Sequence, residues 1–242
     1  MPALAESPLF DHGSRRERVV REILAGLFTG KYEAGQRMRV ESLAEQFEVS
    51  ATPVREALVE LAGVGILDLQ PNRGAVLRKF GPIEILELIQ VRRILECEAV
   101  RCACERFAPF ELTQLEQEFA LLNSAARDEC WLEMSRKLEV KFHDLIASRS
   151  GSQRLAHEIM RYSILFTALE DARHAKRKAL ANFSSLDESE EHLEILRSMA
   201  TRDPQGAANA MARRIDHLGE SLIHDLFGDA PTSPDLPRTP TL

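Results

Sequence analysis

Three side chains near the start of one short helical pattern carry the chemistry that is most directly readable in this chain: Ser50, Thr52 and Arg55. Between residues 50 and 62, Val54, Leu58 and Leu61 recur at helical spacing and line an apolar face, which leaves Ser50, Thr52 and Arg55 on the solvated one. Hydroxyls and the open amides of a helix start suit phosphate oxygens. A guanidinium can clamp a guanine edge through two hydrogen bonds. Arg37 and Arg39 upstream and Arg73 downstream extend the same basic face. Residue types and spacing therefore point to contact with duplex nucleic acid.

The elements that must hold these side chains follow from local pattern. Val19, Val20, Ile23, Leu24, Leu27 and Phe28 predict a helix over 15–29. Ser42 with Glu45, at capping-box spacing, and Leu43 with Phe47 signal a second helix over 40–47. Only Glu48 and Val49 separate it from the third helix, so the two must cross steeply and expose the start of the third. The β-prone runs 66–69 and 75–77 flank a Gln-Pro-Asn-Arg-Gly stretch of turn formers and read as a hairpin. Three helices and a hairpin make a winged helix-turn-helix.

Beyond Gly81-Pro82 the chain reads as helices only, near 82–107, 110–127, 130–149, 152–180, 187–201 and 204–227. The expected class is thus mostly α: a winged helix-turn-helix over 15–80 behind a short tail (1–14), an all-α bundle over 81–228, and a Pro-rich disordered tail over 229–242. Charge divides the same way. Residues 1–80 hold 11 Lys/Arg and 11 Asp/Glu, residues 81–242 hold 20 and 27, so the net charge of -7 lies wholly in the second part. An acidic bundle repels phosphate, which confines a DNA surface to the first third.

Composition excludes other classes. No apolar run approaches the ~18–20 residues of a membrane helix, and the acidic, Pro-containing start does not read as a secretory signal. Cys97, Cys102, Cys104 and Cys130 have neither the density nor the spacing of a disulfide scaffold or zinc ribbon, which suits a reduced, cytoplasmic protein.

The string SATPVREALVELAGVGIL (Ser50 to Leu67), with PNRGAVL (Pro71 to Leu77), resembles the DNA-binding signature of the GntR superfamily of bacterial transcriptional regulators. The resemblance implies that Thr52 and Arg55 touch the operator from the third helix and that the Asn72-Arg73-Gly74 tip enters the minor groove. Ala51 departs from the Arg that many members carry after the Ser, so one contact is missing and the operator differs. The bundle is similar to the FCD-type effector domain of the FadR branch, through VRRILECEA (Val91 to Ala99), the Glu139–His143 spacing and EHLEILRSMATRD (Glu191 to Asp203).

In that family an Asp and three His line a cavity and often hold a divalent metal beside an organic-acid effector. Glu139 matches the Asp, His143 the first His and His192 the second, while the third His position falls on Arg214, with His217 three residues later. Arg92 and Glu96 match an Arg and a Glu of the first effector helix, and their spacing allows a salt bridge. Residues i and i+4 share a helix face, so Glu139 and His143 can share one cation, with His192 closing a third corner; zinc, manganese, nickel or iron all suit such ligands. A guanidinium repels a cation and has no lone pair to donate. Two outcomes stay open: Glu139, His143 and His192, with His217 or water, still bind metal, or Arg214 replaces the metal's charge and holds an effector carboxylate directly.

The resemblance implies a homodimeric repressor, relieved by an organic or sugar acid bound near Arg92, Glu139, His143, His192 and Arg214. The alternatives are a metal-dependent hydrolase or lyase built on Glu139, His143 and His192, and a regulator that senses metal alone. Against an enzyme, no general base is paired with a nucleophile and no oxyanion or phosphate loop is visible.

Overall fold

A computed structural model of the chain describes residues 8–70, 74–125, 128–179 and 187–228. The expected disordered tail over 229–242 and the hairpin tip at 71–73 lie outside these residues. The chain forms two compact units, one running to Lys79 and including the stretch from His157 to Leu180, the other made of Phe80–Ala156 and the remainder.

The first unit opens with helix α1 (Pro8–Phe28), which starts earlier than the apolar pattern predicted, followed by α2 (Val40–Phe47) and α3 (Ala51–Gly63). Val19, Val20, Ile23 and Leu24 of α1 are completely buried, as is Val54 of α3, with Leu43 and Leu61 close to it. The cap of α2 differs from expectation. Arg39 is the residue that precedes the helix, and Ser42 lies inside its first turn. Glu48 ends α2 in the left-handed region at φ 54°, and α3 begins three residues later at Ala51.

Strands β1 (Arg37–Met38), β2 (Leu67–Gln70) and β3 (Gly74–Leu77) form an antiparallel sheet in the order β1-β3-β2, with Leu67 opposite Leu77 and Met38 opposite Ala75. The hairpin was expected, but β1 was not, because two residues carry no alternation to read. Gly74 opens β3 at φ +80°, and a Cβ there would stand 3.3 Å from the Met38 carbonyl.

The second unit is helical among its described residues: α4 (Pro82–Ala103), α5 (Pro109–Ser124), α6 (Glu129–Arg149), the start of α7 (Gln153–Ala179), α8 (Asp187–Ala200) and α9 (Pro204–Phe227). Carboxylates close the helix starts. Glu84 accepts from Gly81 N–H at 2.8 Å, Asp128 from Trp131 N–H at 2.8 Å and Asp203 from Gly206 N–H at 2.9 Å. Helix α9 packs against α4 and α8. The approach to α4 is close because Gly219 has no side chain: a Cβ there would lie 3.0 Å from Ile89 Cγ1. Ile85, Phe119, Phe142, Ile195, Leu196, Met211 and Ile215 fill the core. From His157 onward α7 belongs to the first unit, where the Arg161 guanidinium donates to the Gly63 carbonyl at the end of α3.

Candidate nucleic-acid interface and buried charge cluster

Helix α3 presents its first turn as the sequence predicted. Pro53, Val54, Ala57 and Leu58 are buried, and Ser50, Thr52 and Arg55 are exposed. Ser50 flanks the helix start in an extended conformation, and its hydroxyl makes no capping bond to the first helical amides. Among the described residues no ion pair or hydrogen bond engages Arg55, and Glu60 on the same helix pairs with Arg16 at 3.2 Å. Arg37 on β1 and Arg39 before α2 are exposed, and Arg39 likewise makes no side-chain cap. Gly74 is exposed at the entry of β3, while Asn72 and Arg73 fall outside the described residues.

Two contacts fix this surface from behind. Arg18 donates to the Phe47 carbonyl at 2.6 Å, and Gln46 donates to the Tyr32 hydroxyl at 2.8 Å, tying α2 to α1 and to the loop that follows it. Neither contact was legible, since each joins residues remote in sequence.

In the second unit four helices bring six ionisable side chains together. Arg92 and Glu96 stand one turn apart on α4, Glu139 and His143 one turn apart on α6, with His192 on α8 and Arg214 on α9. Glu139 is the centre. Its Oε1 lies 2.9 Å from His143 Nε2 and 3.7 Å from Arg92 Nη2, and it accepts from Arg214; its Oε2 lies 2.8 Å from His192 Nε2. Arg92 Nε donates to Glu96 at 2.7 Å, so the bridge expected from their spacing is present, and the same Glu96 also abuts His143 Nδ1. Arg92 Nη2 stands 3.0 Å from His143 Nε2. Phe119 of α5 stacks on His192 with ring centroids 4.3 Å apart, and Phe142 meets the same ring edge-on at 4.9 Å. Sequence reasoning matched Glu96 beside Arg92 on the first effector helix without counting it among the ligand contacts, and it missed Phe119, which left no signal because its partner lies on another helix.

Burial and charge set the protonation states. Burial raises the Glu96 carboxyl, but Arg92 and His143 overcome it and hold it at about 2. Burial likewise opposes ionisation of Glu139, yet Arg214, His192 and His143 keep it well below the usual carboxylate range. His192 is pushed down to about 4, by burial first and then by the Arg214 guanidinium. Burial also pulls His143 down, but Glu96 and Glu139 prevail over it and over Arg92, so its pKa is raised. Both carboxylates are held ionised by their cationic neighbours, and His192 is neutral near neutral pH.

His217 is not part of this group. Its ring is half exposed and lies 2.6 Å from Glu191. Glu139, His143 and His192 do offer ligand atoms within 4.8 Å of one another. Charge nevertheless argues against a divalent ion. Two carboxylates already face two guanidiniums, and the third-His position presents Arg214, which has no lone pair to give. A dication would add two uncompensated charges to a buried, balanced cluster. The residues present do not fit the metal that the resemblance implied.

Two family models match the chain: the gntR family of bacterial regulatory proteins over residues 15–77 and the FCD domain over residues 87–217. The chain belongs to the GntR family of regulators with an FCD domain. It is similar to the HTH-type transcriptional regulator McbR of Escherichia coli K12, with 26% identity over 201 residues covering 83% of this chain and 89% of McbR. It is also similar to the HTH-type transcriptional repressor RspR of the same organism, with 23% identity over 193 residues covering 78% and 80% of the two chains. The fold matches the solved structure of E. coli McbR/YncC with a TM-score of 0.63 at 23% identity, covering 86% of this chain and 96% of that one. This GntR protein is a DNA-binding transcriptional regulator with an effector domain, and family membership sets the hydrolase and lyase reading aside. Among the described residues no helix is long and apolar enough to cross a membrane.

Proposed function

We propose that this regulator is a homodimeric repressor of the FadR branch, working in the cytoplasm, that releases its operator when a small organic or sugar acid binds at the charge cluster. Residues 15–80 serve as the DNA-binding domain and 81–228 as the effector and dimerisation domain. Arg55 reads a guanine edge, Ser50, Thr52, Arg37 and Arg39 hold phosphates, and the Asn72-Arg73-Gly74 tip reaches the minor groove. One observation carries the effector assignment: Arg92, His143, His192 and Arg214 converge on Glu139 from four helices in a buried site. Guanidinium and imidazole groups are the donors that recognise a carboxylate. A carboxylate ligand entering there competes with Glu139, so it binds one arrangement of α4, α6, α8 and α9 better than another and shifts the population. The relative RspR is a transcriptional repressor, which supports this sign of regulation.

The test is a melting screen of small carboxylates and sugar acids, followed by gel shifts on the DNA upstream of the protein's own gene. At least one acid is expected both to raise the melting temperature and to weaken the operator complex. If acids that stabilise the protein leave the complex intact, or none stabilises it, the effector assignment fails.

A further inference from the structure

We infer that Arg214 is the built-in cation of this FCD cluster, occupying the electrostatic role of a divalent metal, and that the cluster itself takes no metal. The inference depends on the identity of the domain but not on the proposed organic acid. Glu139 is the residue that a metal would need most, and its two oxygens are already committed. Oε1 faces His143, Arg92 and the Arg214 guanidinium, and Oε2 faces His192. Each imidazole that would have to turn a lone pair toward an ion instead directs a nitrogen at that carboxylate. His143 is flanked on its other side by Glu96, itself held by Arg92 at 2.7 Å. Arg214 is 4% exposed and enters from α9, across a sequence separation of 75 residues from Glu139. A fixed guanidinium there delivers its charge without a coordination shell and cannot be removed by a chelator.

One substitution should therefore reverse the chemistry. Arg214→His removes the competing cation and supplies a third imidazole to Glu139, His143 and His192, a ligand set that suits zinc, nickel or manganese. The tag-free full-length protein, stripped with chelator, is titrated with Zn²⁺, Ni²⁺ and Mn²⁺ by calorimetry and melting. The wild type is expected to show no uptake that depends on Glu139, judged against Glu139→Gln, and no shift in melting. Arg214→His is expected to bind one ion per chain and to melt higher when loaded. Its gain over wild type should exceed the roughly 10–100-fold that a disturbed outer shell costs a metal site.

A wild-type protein that holds one ion per chain, lost in Glu139→Gln, overturns the inference whether or not Arg214→His folds. A folded Arg214→His that takes up no metal overturns it as well. Operator release by an acid is read in a separate experiment, so failure of the effector assignment leaves this result untouched.

Discussion

The reading face and the charge cluster use the same residue types for opposite ends. Arg55, Arg37 and Arg39 stand in water, and among the described residues no ion pair engages them. Arg92 and Arg214 are 6% and 4% exposed and face the carboxylates of Glu96 and Glu139. A solvated cation stabilises the fold very little and is free to meet phosphate or a base. A buried one is neutralised within the protein, and removing its partner exposes the full cost of an uncompensated charge. The surface arginines keep their hydrogen-bonding capacity for an outside partner, whereas the interior ones spend it on Glu96 and Glu139.

The sharpest way to break this comparison is to delete one cation on each side. Arg214→Met should destabilise the protein by about 3–5 kcal/mol in urea unfolding, because Glu139 is left buried without its main counter-charge; a loss below about 1 kcal/mol would mean that the cluster is not electrostatically closed. Arg55→Ala should leave the unfolding curve in place within about 0.5 kcal/mol and weaken operator binding by about 1–3 kcal/mol per half-site. Equal binding to operator and competitor DNA by both proteins would remove Arg55 from the base-reading role. Arg18→Ala sits between the two regimes, since its guanidinium is committed to the Phe47 carbonyl at 2.6 Å. The expected loss is about 1 kcal/mol in stability, with a smaller fall in operator affinity as α2 loosens; no change in either measurement would show that this contact positions nothing.

Much of this protein was legible because its signals are local. The winged helix follows from apolar spacing over 15–29, 40–47 and 50–62 and from turn formers between two short runs, and α3 exposes the residues that this spacing placed outward. The same holds for Arg92 with Glu96 and for Glu139 with His143, whose positions one turn apart place them on a common face. Legibility failed where angle or distance in the chain mattered. His217 follows Arg214 by three residues, a step of about 4.5 Å along α9 and about 60° around it, and its ring meets Glu191 instead of Glu139. Ser42 carried a capping signature, yet the helix begins before it. Strand β1 is defined by its pairing with β3, Arg37 opposite Val76 and Met38 opposite Ala75.

The sequence alone therefore determined the kind of protein: a neutral winged helix ahead of an acidic helical bundle, with a reading helix that turns Arg55 outward and a set of ionisable groups at metal-site spacing. Tertiary structure decided what those groups do to one another. Whether Glu139 meets an ion or a guanidinium depends on α9 lying against α4 and α8, a packing that brings Arg214 from 75 residues away. Electrostatic energy depends on distance and on burial, and neither is encoded in spacing along the chain once the partners lie on different helices.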